Sequence, residues 1–386
     1  MNALTISAAT RAAAVPPFHA MEMARRASEL EAEGRRVLHL ELGEPAAAPP
    51  AVVADAVRGA LDRPLGYTSA LGTDALRQAI AARYQGIGAE RVVVVAGASA
   101  AFTLAFVALF EPGDRVAVVE PGYPCYRNTL LALGVEIVPV PVGPADRWAP
   151  TPESIEHAAA GRPIDGLVIA SPSNPTGTVI GDRALADLAR WAQVNDVRIV
   201  ADEIYRQLVD GAPAPSVLDH TSAAVVISSF SKFWCLTGWR VGWLVVPDAL
   251  VETVERLHQN LLICAPHVSQ IAALAALSAD DELGTHVATY AQNRRIVLDG
   301  LAAAGIDQIA PADGAFYIYA HVPQLTNEFS RGSMDLCVRW LDELSVATTP
   351  GVDFDPRRGH EYVRFSVAGR ADDLAEACER IARWTP

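Results

Sequence analysis

The sequence predicts an α/β protein in which a large domain, built on a mostly parallel central sheet covered by helices, stands beside a smaller α+β domain. Three observations lead to this fold class. The chain has 386 residues, of which 51% are hydrophobic, so it can bury a large core. Short β-branched runs alternate with helical segments such as residues 183–195. After about residue 270, long stretches rich in Ala and Leu replace this alternation.

The predicted strands of the large domain are short, apolar and separated by turns or helices. Because they are near-continuous apolar runs, we expect both faces of their sheet to be covered. In chain order they lie at residues 91–97, 115–121, 136–142, 166–172, 198–204, 224–230 and 240–246.

The smaller domain is predicted from the last part of the chain. Its strand candidates are "GAFYIYAHV" at residues 314–322 and "EYVRFSVAG" at residues 361–369. We assign residues 46–275 to the large domain. The smaller domain combines residues 276–386 with residues 1–45, which begin as a loose N-terminal arm.

Charge and cysteine content exclude several classes of function. Forty-five acidic against 31 basic residues give a formal charge of −14, which would repel nucleic acid and anionic membrane surfaces. Five scattered cysteines without a CxxC pair argue against a disulfide scaffold or a zinc site, so we expect a cytoplasmic protein without a metal. The uncharged residues 92–110 are interpreted as strand, turn and helix rather than as a membrane span, because Gly97 interrupts them.

Small, polar or charged residues follow several predicted strands at the point where each strand ends. Ligands of open parallel sheets bind at the carboxyl ends of the strands, so these side chains are candidates for one site. They are Gly97, Ala98 and Ser99 before a helix, Asn174, Asp202, Tyr205, Ser229, Lys232 and Arg240. Taken singly, each has an ordinary explanation as a helix cap, a turn or a surface ion pair.

Lys232 indicates the chemistry of this predicted site. It stands among apolar and aromatic neighbours in "SFSKFWCLTGWRVGW", before Arg240. A lysine shielded from water near another cation has a lowered pKa, which frees its amine to attack a carbonyl and form a Schiff base. An acid, an amide, a phenol and a phosphate-sized helix terminus are expected at the same sheet edge. Together they predict pyridoxal 5'-phosphate as the cofactor.

In these motifs the sequence resembles the class I aminotransferases of fold type I, near their aspartate and aromatic aminotransferase branch. The most specific motifs are "SPSNPTG" at residues 171–177, "ADEIY" at residues 201–205 and "SFSKFWCLTGWRVG" at residues 229–242. The likeness extends from "LELGEP" at residues 40–45 to "YVRFSVA" at residues 362–368. It implies a cytoplasmic, homodimeric, biosynthetic enzyme of amino acid metabolism. Such an enzyme moves an amino group between an L-amino acid and a 2-oxo acid.

The resemblance implies catalytic roles for Lys232, Asp202 and Tyr205. Lys232 would carry the cofactor as a Schiff base and move the α-proton, and Asp202 would keep the pyridine nitrogen protonated. Tyr205 and Asn174 would hydrogen-bond the phenolic oxygen of the ring, and Tyr123 would stack on the ring.

Further roles implied by the resemblance concern the phosphate and the substrate. The residues that would bind the phosphate are Arg240, Ser229, Ala98 and Ser99, with Tyr67 of the partner subunit. Arg364 would bind the α-carboxylate of the substrate, with Gly43 and Asn174 beside it. Active sites shared across a dimer interface follow from the role of Tyr67.

The contacts to the cofactor leave other reactions open, because they do not decide which substrate bond breaks. A carbon-sulfur lyase or another fold type I enzyme would use the same contacts. A non-catalytic regulatory module would carry an attached DNA-binding segment or lack catalytic residues. Ser99 stands where the bacterial aspartate branch often has a lysine for the distal carboxylate, so aspartate is not implied as the substrate. Phe18 is interpreted as a packing residue, with an apolar or aromatic substrate pocket as the alternative.

Overall fold

A seven-stranded sheet forms the centre of the computed structural model, which describes residues 7–328 and 330–384. Residues 1–6 of the predicted N-terminal arm lie outside the described residues. The strands are β1 Leu38–His39, β2 Val92–Val95, β3 Arg115–Glu120, β4 Glu136–Pro141, β5 Gly166–Ala170, β6 Arg198–Asp202, β7 Val225–Ser229, β8 Gly242–Val245, β9 Tyr317–His321, β10 Val346–Ala347, β11 Thr349–Pro350 and β12 Tyr362–Ser366.

Helices surround the sheet and form most of the C-terminal part of the chain. They are α1 Thr10–Ala13, α2 His19–Ala32, α3 Ala51–Arg58, α4 Asp74–Ala81, α5 Ala98–Leu109, α6 Pro124–Leu133, α7 Pro152–Ala159, α8 Asp182–Val194, α9 Asp248–Leu261, α10 His267–Ala276, α11 Asp280–Ala303, α12 Pro323–Glu328, α13 Ser333–Arg339 and α14 Ala371–Ala382. None of the described helices is long and apolar enough to cross a bilayer.

The strand order of the large sheet is β2-β8-β7-β6-β5-β3-β4. The pairs among β3, β4, β5, β6 and β7 are parallel, whereas β8 is antiparallel to β2 and β7. The carboxyl ends of the six strands other than β8 therefore meet at one edge. Because β8 runs the opposite way, its first residue, Gly242, lies opposite Ser229 at that same edge. The predicted seven strands and their mostly parallel arrangement are confirmed.

Both faces of the sheet are covered, as the apolar strands predict. Val93 and Val95 of β2 pack into one hydrophobic cluster with Phe102 of α5. Val92 and Val94 point to the other face and pack with the cluster that contains Leu76 of α4. Successive side chains of a strand alternate between the two faces, so a strand buried on both sides must be apolar throughout.

The C-terminal part contains a three-stranded antiparallel sheet in the order β11-β12-β9. The N-terminal segment joins it, because β1 pairs in parallel with β10 through Leu38 opposite Val346. Helix α11 packs along α14 beside this sheet. The assignment of residues 46–275 to one domain, and of residues 1–45 with 276–386 to the other, stays a prediction.

Candidate active site

A cavity of about 210 Å³ opens at the carboxyl edge of the large sheet. All but three of the site residues predicted from the sequence line it. Those that line it are Gly43, Ala98, Ser99, Tyr123, Asn174, Asp202, Tyr205, Lys232, Arg240 and Arg364. The three that do not are Gly97, Ser229 and Tyr67. The cavity thus brings together residues from both ends of the chain.

Lys232 reaches the cavity from the loop that follows β7. Its Nζ donates a hydrogen bond of 2.7 Å to the carbonyl oxygen of Gly43. Burial lowers the pKa of Lys232 from 10.5 to about 8, and the positive charges of Arg364 and Arg240 add to this effect. Lys232 is also the only lysine of the whole sequence. The other basic residues are arginines and histidines. The cavity therefore holds the only side-chain amine of the chain.

Asp202 ends strand β6 with its carboxylate buried in the cavity wall. Oδ2 accepts a hydrogen bond of 2.5 Å from Oη of Tyr126, and Oδ1 accepts one of 3.0 Å from the backbone N–H of Ile204. Burial raises the pKa of Asp202 to about 6, although these hydrogen bonds and the charge of Lys232 oppose the rise. Above pH 6 the group is consequently a buried carboxylate that favours a cationic partner.

Backbone N–H groups and a guanidinium meet at the start of α5. Gly97 has φ +88° and no side chain caps the helix, so its first N–H groups face the cavity end of the sheet. A Cβ on Gly97 would lie 2.4 Å from Nη2 of Arg240, so only glycine fits this close approach. Arg240 is held by a hydrogen bond of 3.0 Å from Nη1 to the carbonyl oxygen of Thr237. The arrangement suits an anion such as a phosphate.

Ser229 is buried at the end of β7 and does not line the cavity. Its Oγ donates to Oγ of Ser231 at 2.9 Å, and it accepts the backbone N–H of Ser231 at 3.1 Å. Ser231 lines the cavity instead. The serine pair "SFS" was visible in the sequence, but only the turn after β7 decides which hydroxyl points outwards.

Arg364 is buried on β12, with 3% of its surface exposed. Its Nη1 donates to Oδ1 of Asn174 at 3.0 Å, and its Nη2 donates to the backbone oxygen of Glu41 at 2.5 Å. The guanidinium lies between two rings, with Cζ 4.4 Å from the ring centre of Tyr317 and 4.8 Å from that of Phe354. Its buried Nε has no hydrogen-bond partner among the described residues, which leaves a donor for a ligand.

Two tyrosines of the site were missed by the sequence reasoning. Tyr126 bonds Asp202 as described above, and Oη of Tyr317 lies 2.8 Å from Oη of Tyr205. Tyr126 stands three positions after Tyr123 in "PGYPCY", a spacing that places both on one side of a helix start. Tyr317 belongs to a strand that the sequence indicated only as part of the smaller domain.

The N-terminal segment closes one side of the cavity. Asp353 accepts the backbone N–H groups of His19 and Ala20 at 2.9 and 2.8 Å, which fixes the start of α2. Phe18, the residue before this helix, contacts the ring of Tyr123 edge to face with centroids 6.2 Å apart. Phe18 also lines the cavity, so its sequence interpretation as a packing residue is incomplete.

Tyr67 lies on the surface, with 83% of its area exposed. The loop around it is fixed by neighbours: Nε2 of Gln270 donates to Oγ1 of Thr68 at 2.9 Å. The single chain does not bring Tyr67 into its own cavity, so its role at a partner's site stays a prediction.

The chain is similar to known aminotransferases over nearly its whole length. The family model "Aminotransferase class I and II" matches residues 35–381. A valine–pyruvate aminotransferase of Mycobacterium tuberculosis is 47% identical over 384 residues, which cover 97% of each chain. An aspartate aminotransferase of Thermotoga maritima is 33% identical and covers 96% of this chain and 97% of its own.

Solved structures give the same result. The crystal structure of an aminotransferase from Mycobacterium tuberculosis superposes with a TM-score of 0.93 at 45% identity, over 98% of this chain and 99% of the other. Both the fold class and the resemblance inferred from the motifs are confirmed. The chain belongs to the class I and II aminotransferases of fold type I, enzymes that transfer an amino group between an amino acid and an oxo acid.

Proposed function

We propose that this aminotransferase works through pyridoxal 5'-phosphate bound covalently at Lys232. The observation that carries the proposal is the position of the only lysine of the sequence, which lies in the cavity with a pKa lowered to about 8. When bound, the cofactor would take up the amino group of the substrate and withdraw electrons from its α-carbon. A lysine with this pKa supplies a useful fraction of free amine near neutral pH.

The cavity residues fit the cofactor group by group. Arg240 and the uncapped start of α5 would hold the phosphate, with Ser231 more directly placed than Ser229. Asp202, ionised above its pKa of about 6, would pair with the protonated ring nitrogen. Asn174 and Tyr205 would hydrogen-bond the phenolic oxygen of the ring, and Tyr123 would cover a ring face.

The remaining steps use residues of the chain. Arg364 would bind the α-carboxylate of the substrate, for which its unpaired Nε leaves a donor. Its contacts with two rings and with Asn174 fix the guanidinium before the substrate arrives. The amine of Lys232, once free, would take the proton from the α-carbon and return it at the end of each half-reaction. Phe18 and α2 would limit the access of water to this proton transfer.

We propose that both substrates carry neutral side chains. In the described chain, the Lys and Arg side chains that line the cavity are Lys232, Arg240 and Arg364, and each has a role above. Within one subunit, a second carboxylate on the substrate would lack a cation and would meet Glu44, which also lines the cavity and acts electrostatically on Lys232.

The apolar walls support the same conclusion. Phe18, Met21 and Leu42 line the cavity and would contact a hydrocarbon side chain. The amino donor and the acceptor use one pocket in successive half-reactions, so both should have one carboxyl group. The relative whose name gives valine and pyruvate as substrates is consistent with this pairing.

The finer expectations complete the proposal. We propose a cytoplasmic homodimer that acts in amino acid biosynthesis, with Tyr67 of each subunit reaching the phosphate of the other. The exposed Tyr67 and the exposed apolar run Leu261, Leu262 and Ile263 would be covered in such a dimer. The named relatives favour amino transfer over the carbon-sulfur lyase reaction.

A reduction experiment tests the cofactor linkage directly. The protein is incubated with pyridoxal phosphate, treated with borohydride and weighed by mass spectrometry. Since the chain has one lysine, a single added cofactor must lie on Lys232 or on the N-terminal amine, and one peptide map separates the two. The Lys232→Ala variant serves as the control, and an unchanged mass gain in that variant would refute the proposal.

A spectral titration tests the substrate class. The loaded protein is mixed with amino acids, and the loss of its visible absorbance is followed together with the oxo acid released. We expect valine and alanine to convert the chromophore at much lower concentrations than aspartate or glutamate. A preference for aspartate would contradict the assignment of neutral side chains.

A further inference from the structure

Tyr317 lies in the wall of the cavity, where no role was assigned to it. It is the first residue of β9 and pairs in register with Ser366 of β12. The side chain of Tyr317 is buried. It belongs to the small antiparallel sheet but lines the cavity at the edge of the large sheet. There it contacts two residues of the proposed site at once, Tyr205 and Arg364.

The contact with Tyr205 joins the two hydroxyl groups. The oxygens are 2.8 Å apart, and either phenol could donate the proton of this hydrogen bond. Each phenol has one proton to donate. If Tyr205 directs its proton to the cofactor, as proposed above, Tyr317 must be the donor between the two.

The contact with Arg364 favours this direction of the hydrogen bond. The guanidinium carbon lies 4.4 Å from the ring centre of Tyr317, so a fixed positive charge faces that ring. Burial raises the pKa of both phenols, and the charge of Arg364 opposes the rise at each of them. A cation held against the ring of a phenol makes its hydroxyl a better hydrogen-bond donor, and Arg364 makes this ring contact with Tyr317.

The backbone of Gly43 fixes the position of the Tyr317 hydroxyl. A Cβ at this position would lie 1.8 Å from Oη and 2.8 Å from Cζ of Tyr317. Any side chain at residue 43 would therefore displace the phenol from its present position. The ring of Tyr205 stands edge to face against that of Tyr317, with centroids 5.6 Å apart, so little space is left for the phenol to move.

We propose that Tyr317 is a positioning residue that donates a hydrogen bond to Tyr205 while its ring supports Arg364, so that one side chain aligns the cofactor contact with the carboxylate anchor. The inference rests on the proposed function. A chain of two phenols makes Tyr205 a stronger donor to the phenolic oxygen of the cofactor, because hydrogen bonds in series polarise one another. The same ring keeps the guanidinium in the orientation that the substrate needs.

The test separates the hydroxyl from the ring. Tyr317→Phe removes only the hydroxyl, and Tyr319→Phe is the matched control. Tyr319 lies on the same strand, is 1% exposed, and its hydroxyl has no hydrogen-bond partner within the described residues. The readout is the midpoint pH at which the visible absorbance of the loaded protein changes. The other groups that act electrostatically on Tyr205, namely Asp202, Arg364 and Tyr126, are the same in both variants.

We expect Tyr317→Phe to raise the midpoint by about half a pH unit, because a weaker Tyr205 donor stabilises the anionic ring oxygen less. KM for the amino acid should stay within about twofold, since the ring under Arg364 remains. Tyr317→Leu should raise the midpoint and also raise KM about fivefold, because the ring is lost. Tyr319→Phe should match the parent protein in both measurements.

Gly43→Ala supplies an independent check, because it displaces the same hydroxyl without changing Tyr317. It should also raise the midpoint. A parent protein without a chromophore would refute the proposed function itself. A loaded parent with equal midpoints in Tyr317→Phe and Tyr319→Phe would overturn only the role of Tyr317.

Discussion

Replacement of Lys232 by methionine should stabilise the cofactor-free protein near neutral pH. Lys232 is partly buried in the cavity, and desolvation lowers its pKa from 10.5 to about 8. Methionine has a similar length and no charge, so it fits the cavity without the cost of removing an ammonium group from water. The side chain that we propose for catalysis is therefore expected to destabilise the fold that holds it.

The magnitude follows from the shift in pKa. A difference of about 2.5 units between the unfolded and folded chain corresponds to about 3 kcal/mol at ~1.4 kcal/mol per unit. Below pH 8 lysine is protonated in both states, so the whole penalty is present in the parent protein. Between about pH 8 and 10.5 the unfolded chain binds more protons than the folded one, so the parent gains stability as the pH rises.

Urea unfolding of the two cofactor-free proteins measures this difference. The free energy of unfolding is compared from pH 6 to pH 10.5 at one protein concentration, because a dimer would make stability depend on concentration. Tyrosines and cysteines that titrate in this range are common to both proteins and cancel in the difference. The hydrogen bond from Lys232 to Gly43 reduces the advantage of methionine, and reduces it most at the pH values where the amine is protonated.

Arg240→Met is the matched control, since it removes a second cation that lines the same cavity. An arginine stays charged throughout the range, so the difference from the parent should vary with pH much less than it does for Lys232→Met; the remaining variation reflects the loss of the Arg240 charge, which lowers the pKa of Lys232. If the curves for Lys232→Met and the parent run parallel from pH 6 to 10.5, then Lys232 is not desolvated and the reasoning fails.

Two further substitutions have consequences that follow from single contacts. Asp202→Ala should keep the borohydride-trapped cofactor but slow proton abstraction by at least a hundredfold, because the ring nitrogen loses its buried anion; stopped-flow absorbance measures the step, and a near-normal rate would contradict the role of Asp202. Asp353→Ala removes the acceptor for the N–H groups of His19 and Ala20, which should weaken the start of α2 by about 1 kcal/mol and raise KM for valine through Phe18, whereas an unchanged KM would separate α2 from substrate binding.

Local pattern was sufficient to predict the large sheet. Each of its strands is a short apolar run between turns or helices, and both faces of β2 are indeed buried. The residues at the strand ends were also predictable, because a parallel sheet brings its carboxyl ends to one edge whatever the loops between them do. Asp202 at the end of β6 and Lys232 after β7 meet in one cavity for this reason.

Contacts made by the smaller sheet and the N-terminal segment were not predictable in the same way. Tyr317 meets Tyr205 across 112 positions of sequence, and Asp353 bonds His19 across 334. No periodicity fixes how a second sheet packs against the first edge, so no local signal distinguishes Tyr317 from Tyr319 on the same strand. The sequence also could not decide which serine of the turn after β7 lines the cavity. The hydroxyl of Ser229 bonds to Ser231, and Ser231 lines the cavity instead.

The distribution of basic residues explains how one cavity can both bind anions and release a free amine. Arginine remains charged at any accessible pH and presents a planar fork of donors, so Arg364 and Arg240 suit a carboxylate and a phosphate. Lysine loses its proton more readily than arginine when it is desolvated, and Lys232 is the only lysine of the chain. The two arginines also lower the pKa of this amine by their charge, so the groups proposed to bind the anions of cofactor and substrate would help prepare Lys232 for attack. Once bound, those anions would neutralise the arginines and let the pKa of Lys232 rise again, which favours the step in which the amine accepts the α-proton.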